Sequence, residues 1–330
     1  MKRRVVSGMR PTGKLHLGHL VGALENWAAL QDEYECFYFV ADWHALTSEY
    51  ADTSEIVANA YDMVADWIAA GLDPERSTLF VQSLVPEHAE LNLLLSMTIP
   101  IPWLERVPTY KEQMEQLSDK DLSTLGFLGY PLLQTADIII YNAHFVPVGE
   151  DQVPHLELSR EIVRRFHNFF GELFVEPLPK LTDVSRLPGI DNRKMSKSYG
   201  NAINVSDDAE TVRKKVMQMY TDPKRVRADI PGTVEGNPVF LYHDAFNRDR
   251  AEVEDLKTRY RAGTVGDVEV KTKLAKAINA HLDPIRARRA EVLTKPSAVR
   301  DILHEGSRKA RVIAQATMDR VRAAVKLKYD

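Results

Sequence analysis

The sequence predicts an α/β chain, with a doubly wound parallel sheet first and a mainly helical region after it. Three observations carry this. Apolar runs alternate with helical patterns through the first part of the chain, the alternation stops near Ser206, and 330 residues at 44% hydrophobic composition can bury one large core and a smaller one.

Taken in order, Val5-Val6 reads as a short strand, Ser7 to Gly13 as a breaker-rich turn, and Leu20 through Trp27 to Leu30 as an amphipathic helix. Cys36 to Ala41 and Thr78 to Gln82 read as strands, while Ile56 to Ala70 and Leu91 to Met97 read as helices. Parallel strands joined this way carry helices on both faces and bind ligands beyond their carboxyl ends. Asp42 and His44 follow one apolar run, and Gly149, Glu150, Asp151 and Gln152 follow another, Phe145 to Val148. From Ser206 to Asp330 helical patterns dominate, interrupted by the stretch from Pro223 to Pro238. The expected division is residues 1–205 and 206–330.

Composition narrows the function. A net charge of −4 argues against indiscriminate nucleic-acid binding, but the charge is uneven. Between Ile285 and Asp330 twelve Lys or Arg face five Asp or Glu, a formal +7 that leaves −11 elsewhere. That asymmetry points to a polyanion at the C-terminal part, against the plainer reading of a solvated helix face. The lone Cys36 lies in an apolar run, so a buried thiol is expected and neither a disulfide framework nor a cysteine metal site is possible. No apolar stretch reaches the roughly 18 residues that cross a membrane, and the start lacks a secretory pattern, so a cytoplasmic protein is expected.

Two segments carry the chemistry. His16-Leu17-Gly18-His19 opens a helix, where Gly18 lets a ligand approach the backbone and two imidazoles stand beside exposed amides. Lys194-Met195-Ser196-Lys197-Ser198 sits between Pro188-Gly189 and Tyr199-Gly200, which marks a mobile loop bearing two ammonium groups and two hydroxyls. Alone, each has a bland reading: histidines that cap a helix, and a solvated basic loop. Together, in this order, they suit a nucleoside triphosphate. A third segment, Tyr130 to Asp137, sets Tyr130, Gln134 and Asp137 on one face if helical. Beside Ile138, Ile139 and Ile140, Asp137 needs donors such as an indole N–H or a phenol O–H.

The two signature segments resemble those of the class I aminoacyl-tRNA synthetases. Tyr130, Asp137, the run Val146 to Gln152 and the run Asp42 to Thr47 are similar to the tryptophanyl branch, and the likeness extends over nearly the whole chain. The resemblance implies a Rossmann-like catalytic domain followed by a helical anticodon-binding domain. It implies that His16, His19, Lys194 and Lys197 are catalytic. ATP would meet Arg10, Pro11, Thr12, Gly18, His19, Gly149, Glu150, Asp151, Leu187, Lys194, Met195, Ser196, Lys197 and Ser198, with Mg²⁺ assisting. The substrate tryptophan would meet Asp137 through its indole N–H and Tyr130 and Gln152 through its ammonium, with His44 and Gln134 also lining the pocket. It further implies tRNA(Trp) as partner and a homodimer formed through helices after Trp103 and around Leu125 to Tyr141. Lys111 is a further candidate for the phosphates or the tRNA acceptor end.

Departures mark the alternatives. Gln134 stands where many tryptophanyl enzymes have Met, and Arg10 stands where Gln is usual. A Gln paired with an Asp three residues later also resembles the tyrosyl relatives, which keeps tyrosine as a second substrate reading. Those relatives add a Tyr from the first strand, and Val6 occupies that position. A site built on hydrogen bonds discriminates by about 10⁴ to 10⁵, so the missing phenol partner favours tryptophan. A third reading is a tryptophan-binding paralogue without aminoacylation. Some members of the tryptophanyl branch hold an iron–sulfur cluster on four cysteines; a single cysteine excludes that cluster, and no zinc is expected.

Overall fold

The computed structural model describes the chain except for Met1, residues 108–120, 182–186 and 196–198, Lys224, Val226 and Asp330; Pro296 is described by its backbone alone. Ser196, Lys197, Ser198 and Lys111 therefore lie outside the described residues.

Five parallel strands form one sheet in the order β3-β2-β1-β4-β5: β1 Arg4–Met9, β2 Glu35–Val40, β3 Ser77–Val81, β4 Phe145–Val148 and β5 Leu178–Leu181. The order reverses at β1, between β2 and β4, which is where open α/β sheets bind ligands. Met9 and Val148 close the two strands there and lead into Arg10 and Gly149.

The expected strands Cys36–Ala41 and Thr78–Gln82 are present one residue earlier at each end, and the helix from Ile56 ends at Ala69. The first strand runs further than its composition suggests, because Ser7, Gly8 and Met9, read as turn, continue β1. Gly8 pairs with Phe39 of β2, and a Cβ at Gly8 would lie 2.4 Å from the Phe39 ring. The glycine thus serves close strand packing and not a turn.

Contacts divide the described chain into two compact units that differ from the division at residues 205 and 206. One comprises 1–13, 26–183 and 295–330; the other comprises 14–25 and 184–294. The first holds the sheet and a core that includes Val6, Phe37, Phe80, Leu91, Ile139 and Val163. The C-terminal helix Pro296–Ala324 belongs to it and adds Ala310, Ala314, Met318 and Val321 to that core. A Cβ at Gly306 would overlap the Leu79 carbonyl oxygen, so glycine alone lets this helix lie on β3. Ser307 Oγ accepts the Val81 N–H at 3.1 Å, satisfying a donor of the edge strand. Arg311 and Arg322 pair with Glu87 and Glu90 of the helix Glu87–Ser96. Part of the basic C-terminal excess is thereby matched by acidic residues of the same unit.

The second unit is built from helices Ala209–Met217, Pro238–Phe246, Arg250–Ala262 and Asp267–Leu293, with Val212, Tyr242, Leu274, Ile278 and Leu282 buried. It also contains Lys14–Glu25. The reason is backbone pairing: Leu17 N–H donates to Ile203, Val205 N–H donates to Leu15, and His16 bridges Asn204. Composition shifts cannot reveal such a return of the chain, because each partner segment is short and unremarkable by itself.

Candidate active site

Asp137 is the centre of the first constellation. It lies in the helix Leu125–Ile139, which Thr124 caps by accepting the Phe127 N–H, and it is 1% exposed. An unpaired carboxylate there would be costly, and three side chains meet it. His44 Nε2 lies 2.8 Å from Oδ2, His88 Nδ1 lies 2.6 Å from Oδ1, and Gln82 Nε2 donates to both oxygens at 2.8 and 2.9 Å. Burial by itself would raise this carboxyl; the hydrogen bonds and charges of His44 and His88 outweigh it and hold it at about 2.

The donors are themselves oriented. Gln82 accepts the Trp43 N–H on Oε1 at 3.2 Å, which turns its NH₂ toward Asp137. Trp43 N–H is shared with Asp42, whose carboxylate also receives Ser83 N–H and Ser83 Oγ. Burial raises the Asp42 carboxyl, while these bonds act the other way. Asp42 thus ties the end of β2 to the turn after β3. His88, fully buried in the helix Glu87–Ser96, reaches Tyr141 Oη with Nε2 at 2.6 Å.

Of the predicted pocket residues, the fold brings His44 onto Asp137. Tyr130 is 9% exposed on the same helix, its ring 5.5 Å from Phe127 and 5.7 Å from His155. Burial lowers the His155 imidazole to about 4, so it is neutral at pH 7. Gln134 is half-buried, and Gln152 lies in the turn Glu150–Gln152 with Nε2 3.4 Å from Asp151. Arg10 is exposed just beyond β1, with Pro11 buried and Thr12 half-buried after it. Gly149 stands at the end of β4, where a Cβ would lie 2.9 Å from Asp151 Oδ1, and Glu150 and Asp151 are exposed.

Sequence reasoning did not find Gln82, His88 or Tyr141. Gln82 carried a usable signal, since it ends an apolar run at the carboxyl side of a strand, as Asp42 and His44 do. His88 and Tyr141 carried none, because their link to Asp137 is purely tertiary.

The second constellation lies within the other unit. His16 and His19 stack with ring centroids 3.7 Å apart, and His19 Nδ1 accepts the His16 N–H at 3.2 Å. A Cβ on Gly18 would stand 3.0 Å from His16 Nδ1 and 3.5 Å from Met195 Sδ, so the glycine keeps this corner open. Lys194 is exposed at the end of a short bridge to Pro188. Asn201 braces that bridge by donating to the Lys194 carbonyl at 3.1 Å and to Asp191 at 2.8 Å. Gly189 is required there, because a Cβ would meet Asn201 Nδ2 at 2.2 Å. Leu187 is 7% exposed beside it. The fold thus gathers His16, Gly18, His19, Lys194 and Met195 into one unit, a corner of imidazoles and an ammonium suited to phosphate oxygens.

A parallel sheet that reverses at β1, with a buried carboxylate in one unit and an imidazole–lysine corner in the other, defines an α/β protein of the open-sheet class, and similarity to known proteins makes the class specific. Residues 1–283 match the model of the class I tRNA synthetases for W and Y, and the chain belongs to that family. It is 51% identical to the tryptophan–tRNA ligase of Thermotoga maritima over 327 residues, covering 99% of this chain and all of that one. It is 44% identical to the tryptophan–tRNA ligase of Aquifex aeolicus, covering 98% of this chain and all of that one. Among solved structures, tryptophanyl-tRNA synthetase from Campylobacter jejuni complexed with ADP and tryptophan aligns with TM-score 0.87 at 33% identity, covering 98% and 99% of the two chains. Tyrosyl-tRNA synthetase from Archaeoglobus fulgidus complexed with L-tyrosine aligns with TM-score 0.68 at 25% identity, covering 87% and 90%.

Proposed function

We propose that the chain is a tryptophan–tRNA ligase: it activates L-tryptophan with ATP and transfers the tryptophanyl group to tRNA(Trp). The observation that carries this is the buried Asp137 carboxylate, held at about 2, which the proposal takes as the acceptor for the substrate N–H. The relatives at 43 to 51% identity, all tryptophan–tRNA ligases, support it. Val6, fully buried, offers no hydroxyl at the position where the tyrosyl relatives carry a Tyr.

In the first step the tryptophan carboxylate attacks the α-phosphorus of ATP, and the bond to the bridging oxygen breaks, expelling pyrophosphate. In the second, a terminal ribose hydroxyl of the tRNA attacks the aminoacyl carbonyl and AMP leaves. Neither step needs a protein nucleophile, so positioning and charge stabilisation carry the catalysis. His16, His19, Lys194 and Lys197 stabilise the phosphate oxygens. Arg10, Pro11, Thr12, Gly149, Glu150, Asp151 and Leu187 bind the nucleotide, as do Gly18, Met195, Ser196 and Ser198. Asp137 reads the indole N–H, His44 and Gln134 line the ring pocket, and Tyr130 and Gln152 receive the ammonium.

Magnesium would come with ATP, and its charge would add to that of His16, His19, Lys194 and Lys197 on the phosphate oxygens. The described residues contain no group of three or more His, Cys, Asp or Glu that could hold a metal ion. No helix among the described residues is long and apolar enough to cross a membrane. A cytoplasmic homodimer is part of the proposal, with exposed Leu93, Met97, Ile101 and Leu125 as the apolar surface a second copy would cover. The anticodon-reading role falls to the helices from Ala209 to Leu293, the C-terminal helix serving the sheet.

Amino-acid-dependent ATP–pyrophosphate exchange without tRNA tests the reading. Exchange with tryptophan and not tyrosine is expected. Exchange with tyrosine alone would change the substrate and leave the chemistry, and silence with both would leave a tryptophan-binding protein that no longer aminoacylates.

A further inference from the structure

Asp137 is the acceptor in the proposed reading, but its two oxygens are not equivalent. Oδ1 meets His88 Nδ1 and Gln82; Oδ2 meets His44 Nε2 and Gln82. His88 is completely buried, whereas the His44 side chain is 12% exposed. Behind His88 stands Tyr141, also completely buried, its Oη 2.6 Å from Nε2. Both contacts are met at once when Nδ1–H donates to Oδ1 while Nε2 and the Tyr141 Oη share the other hydrogen bond. Desolvation and the nearby carboxylates of Asp137 and Glu87 push the Tyr141 phenol well above its usual value, so Oη keeps its hydrogen.

The consequence concerns which oxygen a substrate can use. A carboxylate offers about four lone-pair positions, and His88, His44 and the two contacts of Gln82 meet four, so a ligand donor takes the place of a partner. The partners of Oδ1 are fully buried, whereas the His44 side chain on Oδ2 is 12% exposed, so Oδ2 is the oxygen at which a partner can give way. We infer that His88 and Tyr141 are positioning residues for tryptophan selectivity: they pin Oδ1 of Asp137 and so present Oδ2 in the one orientation that accepts an indole N–H. This rests on the reading of Asp137 as the N–H acceptor. His88 and Tyr141 touch no substrate; they act through Asp137.

The test compares tryptophan with its benzothienyl analogue, in which sulfur replaces the indole N–H, by pyrophosphate exchange in wild type, Tyr141→Phe, His88→Asn and His88→Leu. Wild type should prefer tryptophan by about 10²-fold or more in kcat/KM, since the analogue leaves a buried acceptor unmatched. Tyr141→Phe deletes one oxygen from an unchanged ring and should lower that preference about tenfold. His88→Leu should lower it further, and His88→Asn, whose amide can replace Nδ1–H, should recover part of the loss. The analogue's own kcat/KM and the KM for ATP should stay within about twofold in all of them. Preference retained in Tyr141→Phe and His88→Leu overturns the inference. So does a parallel fall for tryptophan and analogue, which would assign the pair to packing. If His88→Leu does not fold, Tyr141→Phe decides the matter. Absence of any preference in wild type would instead remove the N–H reading of Asp137 itself, and this inference with it.

Discussion

The Asp137 pocket and the His16–Lys194 corner hold their charges in opposite ways. Asp137 is 1% exposed and surrounded by His44, His88 and Gln82. At the corner, His16 and His19 are half-buried and Lys194 is exposed. The difference suits what the proposed function asks of each. Choosing one side chain over a near-isostere needs an acceptor fixed in a dry place, where a mismatch leaves it unsatisfied. A triphosphate would bring its own charge, and partners that are not fully buried meet it without the cost of deep burial.

Asp137→Ala should break the contrast most strongly. Tryptophan-dependent kcat/KM should fall by about 10³-fold or more while the KM for ATP holds, as pyrophosphate exchange would show. Equal losses for both ligands would mean that the pocket is not a separate reader of the amino acid. At the corner, His19→Ala should lower the rate of adenylate formation by about 10²- to 10³-fold with tryptophan binding retained, measured by single-turnover kinetics and equilibrium dialysis.

Gly306→Ala probes the support behind the pocket. Its Cβ would overlap the Leu79 carbonyl on β3, the strand that leads to Gln82, and unfolding in urea should show a loss of about 3 kcal/mol. The pH dependence of stability is the finest test. Asp137 is held at about 2 against 3.8, so its contribution is full above the higher value and is lost as pH falls from there toward 2. His155 is held at about 4 against 6.5, so the folded state resists its protonation; that contribution is full above 6.5 and declines as pH falls toward 4. His155→Gln should flatten the urea midpoint between those two values, and Asp137→Asn should flatten it only in the more acid window.

Much of this was legible from spacing. His16, Gly18 and His19 fall within one helical turn, and Tyr130, Gln134 and Asp137 fall on one helix, so their local geometry follows from the 3.6-residue period. The order of strands and helices was legible because apolar periodicity reports which face is buried. Ser7 to Met9 were misread as turn because Gly8 signals chain reversal locally, whereas here it admits the Phe39 ring. The boundary near Ser206 was drawn where composition changes, but contacts send residues 14–25 and 184–294 to one unit and the C-terminal helix to the other.

By itself the sequence determined the element types, the two chemical segments and the need for a partner to Asp137, since helix and strand periods and the cost of a buried charge are local or near-local constraints. The tertiary structure alone decided that this partner is a set: Gln82 from the end of β3, His44 and His88 from two helices, and Tyr141 behind them. It also decided that His16 and Lys194 share a unit, through pairing of Leu15 and Leu17 with Ile203 and Val205. Contacts between segments so far apart in the chain are fixed by the packing of complementary faces and by hydrogen bonds that only the folded backbone can close, and no single segment carries a record of its partner.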